Sequence, residues 1–312
     1  MKKKNINLKK IVLRLYELCL KIYLTDNKIA QEYKNEKIRC PVHLSLGQEA
    51  AAAAIGCIMT KKDFVFSGHR SHAHYIVKNG SINKMIAELY GKKTGCSKGN
   101  GGSMHLIDEK VNFMGSTAIV ANSIPVGVGY ALGNQIKKRK SKTFIFFGDG
   151  AVEEGVFFES LNFSALKKLN IVFVCENNKY SVYSHMKLRQ PKKRQIYKLS
   201  QTIGIPSYKI NSTDPLNIFQ KVYNILKKKK EGPIFFEIST FRNIEHCGPN
   251  NDDHLNYRPR TEIDFWKKNN FFKIFRRKKH AKYLHFKNKE RIENNLKIII
   301  NKAFKLAKNK SK

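Results

Sequence analysis

Gly148-Asp149-Gly150-Ala151 and, one strand–helix–strand unit later, Glu176-Asn177-Asn178 are the residues whose types and spacing could do chemistry. Asp149 offers a carboxylate and Asn178 an amide oxygen, a pair of hard donors too small to cage a metal unaided. Such a pair suits Mg²⁺, which completes its octahedron with water and substrate phosphates. Gly148 and Gly150 permit a tight turn and expose amide N–H groups to a phosphate where a helix begins. The combination predicts a diphosphate held through Mg²⁺.

The elements that must position this set are legible around it. Residues 143–147 form an apolar run too short for a helix and rich in aromatics, which predicts a buried strand. Residues 151–169 carry Val156, Phe157, Leu161, Phe163, Ala165 and Leu166 at helical spacing, and 171–175 form a second buried strand. A parallel crossover sets the C-terminal ends of its two strands side by side. Asp149 and Asn178 then share the edge at which open α/β sheets bind ligands. Strands are also expected at 64–66 and 233–238, a buried alanine-rich helix at 50–58, and an amphipathic helix from about Leu8 to Tyr23.

The whole chain, 1–312, reads as one α/β domain, its mostly parallel sheet covered by helices on both faces. Residues 1–40 read as a helical arm and 264–312 as a helical basic tail, with Ile292, Leu296, Ile299, Ile300, Phe304 and Leu306 along one side. Gly127-Val128-Gly129-Tyr130-Ala131-Leu132-Gly133 does not follow a strand and is mis-spaced for a dinucleotide fingerprint, so it reads as close helix packing.

Composition narrows the function. With 41% hydrophobic residues the chain can bury a large core, and it contains no apolar run long enough to span a membrane. The N-terminal Met1-Lys2-Lys3-Lys4 begins like a secretion signal, but Arg14, Glu17 and Lys21 interrupt the stretch that follows. A cytoplasmic protein is expected. The six cysteines have no paired Cys-x-x-Cys spacing and read as reduced thiols. The net charge of +36 invites a nucleic-acid reading. Its lysines, however, are spread over the chain, in blocks at 137–142, 227–230 and 276–279, without interleaved aromatics, so no specific nucleic-acid binding is expected.

Further motifs surround the metal-type set. They are Pro41-Val42-His43-Leu44-Ser45-Leu46-Gly47-Gln48-Glu49-Ala50, Ser67-Gly68-His69-Arg70-Ser71-His72, Gly101-Gly102-Ser103-Met104-His105, Ile119-Val120 followed by Ile124-Pro125, and Thr240-Phe241-Arg242. Together, over residues 41–266, they resemble the α subunit of the thiamine-diphosphate-dependent E1 component of 2-oxo acid dehydrogenases. The resemblance implies a thiamine-diphosphate-binding fold, with Mg²⁺ held by Asp149, Asn178 and the main-chain carbonyl of Tyr180. Arg70, with His69 beside it, would clamp the diphosphate, and Gly148, Gly150 and Ala151 would line it through backbone groups. Ala118 and Val120 would meet the aminopyrimidine ring through main-chain groups. His43, His105 and His246 are the candidates for proton transfer, since histidine titrates near neutral pH.

The resemblance further implies oxidative decarboxylation of a 2-oxo acid, with acyl transfer to the lipoyl group of an E2 acyltransferase. It also implies an E1 β subunit in an α₂β₂ heterotetramer, because the carboxylic acid needed at the pyrimidine ring lies on that separate chain. Pyruvate is the first expectation, with acetoin and branched-chain 2-oxo acids as alternatives. After Arg242 this chain carries Ile244-Glu245-His246-Cys247-Gly248-Pro249 where relatives commonly have His-Gly-His-Ser. Only the second histidine is kept, and Cys247 replaces a serine phosphorylated in some eukaryotic relatives. A catalytically silent structural subunit and a polyanion-binding protein are the readings from other classes.

Overall fold

Short apolar runs, bounded by turns and buried on both faces, build the centre of this protein. The computed structural model describes residues 7–229 and 231–309. The lysine cluster at 2–4, and Lys230 of the 227–230 block, lie outside the described residues. The strands are β1 (Phe64–Ser67), β2 (Phe113–Ser116), β3 (Thr143–Gly148), β4 (Ile171–Asn177), β5 (Tyr180–Ser181), β6 (Ser184–His185), β7 (Ser207–Ile210) and β8 (Ile234–Ser239). Six of them form one parallel sheet in the order β2-β1-β3-β4-β8-β7, while β5 and β6 make a small antiparallel hairpin.

Alternate side chains of each strand enter separate apolar layers. Phe144, Phe146, Val172 and Val174 point to one side, where the helices Glu49–Gly56, Pro215–Lys228, Leu8–Tyr33 and Phe286–Asn309 pack. Ile145, Phe147, Phe173 and Cys175 point to the other, under the helices Ser123–Ile136, Gly155–Leu166 and Ile196–Thr202. Burial on both faces is why β3 and β4 read as unbroken apolar runs rather than alternating ones.

Several boundaries differ from expectation, each for a physical reason. The first helix ends at Tyr33 rather than Tyr23, because Thr25, Asp26 and Ile29 continue its buried stripe. A 3₁₀ turn, Asp149–Glu153, precedes the helix Gly155–Leu166, and Glu154 separates them in an extended conformation. Strands β2 and β7 sit at the sheet's two edges. They are four residues long, one containing Gly115 and the other the exposed pair Tyr208-Lys209, so no apolar run announces them. On the last helix Leu296, Ile300, Phe304 and Ala307 are buried, whereas Ile299 and Leu306 fall outside that face. Gly127 does pack closely, since a Cβ there would meet Ile145 Cδ1 at 2.6 Å. Gly129 and Gly133 face open space instead.

All six cysteines are unpaired; Cys19 and Cys175 are buried and Cys247 is exposed. Among the described residues no helix is long and apolar enough to cross a membrane.

Candidate active site

The β3–β4 register pairs Gly148 with Glu176, so the segments following both strands emerge side by side at the C-terminal edge of the sheet. Asp149 is buried, and the backbone amide of Asn178 hydrogen-bonds its carboxylate. The asparagines shape the turn after β4. Asn177 Oδ1 accepts from Lys179 N and Asn178 Oδ1 from Tyr180 N, both at 2.9 Å, two successive Asx turns. Lys179 takes a left-handed φ of 69° there, and Tyr180 begins the hairpin.

A cavity of about 150 Å³ opens on this edge. Its walls include Gly68, His69, Arg70, Val120, Gly148, Asp149, Gly150, Ala151, Asn178, Tyr180 and His246, which brings together most of the residues singled out from sequence. Ala118 and His43 are not part of its lining, although His43 packs against two residues that are. His105 stands apart, exposed on its loop.

Arg189 was not anticipated. Its Nη2 donates to Asp149 Oδ2 at 2.7 Å, and its Nη1 pairs with Glu153. Burial pushes the Asp149 carboxyl above the usual carboxylate range, and the Arg189 guanidinium works against that shift. Nothing in the run Met186–Arg189 marks this role in the sequence, because the contact depends on the hairpin folding back over the 3₁₀ turn.

Glu176 was visible only as part of a motif. Its Oε2 accepts from Gln48 Nε2 and faces His74 Nε2, both at 3.2 Å, while His74 Nδ1 meets Ser67 Oγ at 2.8 Å. Among the described residues the other oxygen, Oε1, is buried without a hydrogen-bond partner.

Three imidazoles, those of His43, His69 and His246, crowd together with ring centroids 4.7–5.3 Å apart, the last two lining the cavity. Their nitrogens lie within 4.8 Å of one another, as a metal would require. The surroundings favour an anion instead. Arg242 Nη1 lies 3.2 Å from His246 Nδ1, where a metal-binding imidazole normally donates outward. Arg70 donates to the carbonyls of Leu44 (2.5 Å) and His246 (3.0 Å), and among the described residues no carboxylate pairs with it.

Burial is the main cause that depresses all three histidines. His43 falls to about 2, with His69 and Arg70 adding to the effect. His246 falls to about 3 and His69 to about 4, both pressed further by Arg70. These rings are therefore neutral at physiological pH, and the ordinary titration that suggested proton transfer does not operate in the chain alone. The Arg70 guanidinium, pressed down to about 9 by burial and then by Arg242, stays cationic.

Residues 21–312 match the family described as "Dehydrogenase E1 component". The pyruvate dehydrogenase E1 component subunit alpha of Rickettsia felis is 33% identical over 291 residues, covering 91% of this chain and 87% of its own. That of Rickettsia bellii is 34% identical over 248 residues, covering 78% and 74%. The mitochondrial alpha-1 subunit of Oryza sativa subsp. japonica is 36% identical over 236 residues, covering 74% and 58%. The chain belongs to the dehydrogenase E1 component family.

Membership in the E1 family implies dependence on thiamine diphosphate, and the cavity fits that group on several counts. A Cβ built at Gly68 or Gly148 would meet nothing within 4 Å, so both glycines leave room for a ligand against the backbone. Asp149 and Asn178 supply hard oxygen donors, Arg70 supplies a cation that pairs directly with no carboxylate among the described residues, and Glu176 Oε1 is a buried acceptor without a donor among them. The volume, about 150 Å³, is below the roughly 300–1,000 Å³ of pockets that enclose a whole small ligand. The cavity is partly open to solvent.

Proposed function

We propose that this chain is the α subunit of an E1 enzyme that decarboxylates a 2-oxo acid, pyruvate first, and passes the acyl unit to a lipoyl group on an E2 acyltransferase. Thiamine diphosphate, when bound, supplies the carbon nucleophile that attacks the keto carbon. Asp149, Asn178 and the Tyr180 carbonyl would hold Mg²⁺, with Arg70 on the diphosphate and His69 beside it. Backbone groups of Gly148, Gly150 and Ala151 would line the diphosphate, and those of Ala118 and Val120 the aminopyrimidine. Neutral His43 and His246 would offer hydrogen bonds to substrate and acyl acceptor, while exposed His105 would face the carrier. The observation that carries this reading is the juxtaposition of Asp149 and Asn178 in the lining of a cavity that the Arg70 cation also lines.

The open side argues for a β subunit. Ile119 and Val120 at the mouth are 66% and 48% exposed. The neighbouring helix Ser123–Ile136 exposes Val126 and Ile136, with open space over Gly129 and Gly133. Exposed apolar side chains beside the cavity suit a partner's cover, and the relatives' designation as "subunit alpha" implies a β chain. We assign an α₂β₂ assembly in the cytoplasm, where six unpaired thiols stay reduced.

The test is to purify the chain with its natural partners and measure calorimetric binding of thiamine diphosphate with and without Mg²⁺. CO₂ release from pyruvate and branched-chain 2-oxo acids, and acetaldehyde release from acetoin, would then be followed. Mg²⁺-dependent binding with turnover of pyruvate is expected. Absence of cofactor binding would overturn the reading, and preference for another substrate would redirect it.

A further inference from the structure

A buried polar chain connects the first helix to His43. Asp26, fully buried on the helix Leu8–Tyr33, has Oδ1 2.8 Å from His72 Nδ1. His72 Nε2 lies 2.9 Å from Ser103 Oγ, and His43 N donates to that same Oγ at 3.3 Å. The other carboxylate oxygen, Oδ2, accepts from Ser45 N at 2.5 Å, two residues beyond His43. His72 and Ser103 are 0% and 1% exposed. The arrangement has the order of an acid–histidine–serine triad, but its hydroxyl is sealed from any substrate and its free end is a backbone amide.

A carboxylate only accepts, so His72 Nδ1 carries a proton toward Asp26 Oδ1, and Nε2 faces the Ser103 hydroxyl. The Ser103 oxygen accepts from His43 N. The segment bearing His43 is therefore gripped at two amides, Ser45 directly by Asp26 and His43 through the chain. Its ring has no comparable support, because Nδ1 is buried without a partner among the described residues.

We propose that Asp26, His72 and Ser103 are positioning residues that set the orientation of His43 toward the reacting groups. The inference rests on the functional reading above for what His43 does, but the grip itself does not depend on it. Asp26→Asn would disturb the chain with almost no change in volume. An amide can accept from only one of the two donors, so it must turn its own N–H toward Ser45 or toward His72. The second choice takes the proton off His72 Nδ1.

The experiment compares wild type, Asp26→Asn, Ser103→Ala and the double variant in the assembled enzyme. Turnover is expected to fall roughly 10- to 100-fold, the effect of a misplaced catalytic group. Thiamine diphosphate affinity should stay near wild type, because the Asp149 wall is untouched. The double variant should be no slower than Asp26→Asn alone, since both changes cut one chain. Wild-type turnover, losses that multiply, or a fall in turnover seen only with loss of cofactor binding would each overturn the proposal. Ser103→Ala removes a single oxygen and guards against an Asp26 variant that does not fold. Hydrogen exchange of the 42–46 amides, measured on the same proteins, should quicken in both single variants while the 143–178 amides are unchanged. Unchanged exchange at 42–46 sinks the grip. An inactive wild-type complex whose variants still show quickened exchange would sink the functional reading and leave the grip standing.

Discussion

The pair Asp149–Arg189 decides how the candidate metal wall behaves without metal. The carboxylate is buried and the guanidinium only 12% exposed, so each compensates a charge that water does not reach. Arg189→Ala leaves that carboxylate uncompensated, at an expected cost of about 3 kcal/mol. Mg²⁺ should then recover much of the loss, and thermal melts with and without Mg²⁺ measure both effects. Asp149→Asn keeps a hydrogen-bond acceptor for Arg189 but removes the charge, so Mg²⁺-dependent binding of thiamine diphosphate should disappear from calorimetry while the fold survives. At this scale Asp149 and Asn178 were legible because one local crossover brings them together. Arg189, Glu176 and the Asp26–His72 pair were not. Their partners lie far away in the chain, and burial of a polar side chain leaves no periodic signal.

Among elements, the loop carrying His246 and the strand end carrying His69 set the acid response. The folded-state pKa values of His43, His69 and His246 lie near 2, 4 and 3, below the ordinary 6.5. Above about pH 6.5 both folded and unfolded forms are neutral and these groups add no pH dependence. As pH falls from 6.5 toward 4 the unfolded chain takes up protons that the folded chain refuses, so stability declines. Urea midpoints at pH 7 and pH 5 should show the drop, and His43→Gln should reduce it. The helix Ser123–Ile136 gives a second contrast. Gly127→Ala drives a Cβ against buried Ile145, at an expected cost of about 1–3 kcal/mol. Gly133→Ala meets nothing and should stabilise the lone chain by about 1 kcal/mol through helix propensity. If a β subunit covers this face, the same change should weaken assembly, which sedimentation of the mixed subunits would read. The sequence pattern revealed the central strands, whose burial on both faces leaves continuous apolar runs. The edge strands β2 and β7 escaped it because one face or one end of each is wet.

For the whole molecule, both terminal helices are integral to the packing. Val12, Leu15 and Ile22 of the first helix and Leu296, Ile300 and Phe304 of the last share one apolar layer, and Lys308 Nζ reaches Glu32 at 2.7 Å. Removal of residues from 286 onward should therefore expose that layer and yield insoluble protein, whereas a surface appendage would be dispensable. Expression of the truncated chain with a solubility assay checks this. The strand order carries a consequence for synthesis. Strand β8 follows all the others in the chain, yet it lies inside the sheet, between β4 and β7. Until Ile234–Ser239 has left the ribosome, β4 presents an unpaired edge, apolar from Ile171 to Cys175, in a nascent chain that already contains most of its aromatic core. Such an edge is a template for pairing with the wrong neighbour. The emerging chain has to be shielded through that interval, and synthesis that pauses before residue 234 would be its most hazardous moment.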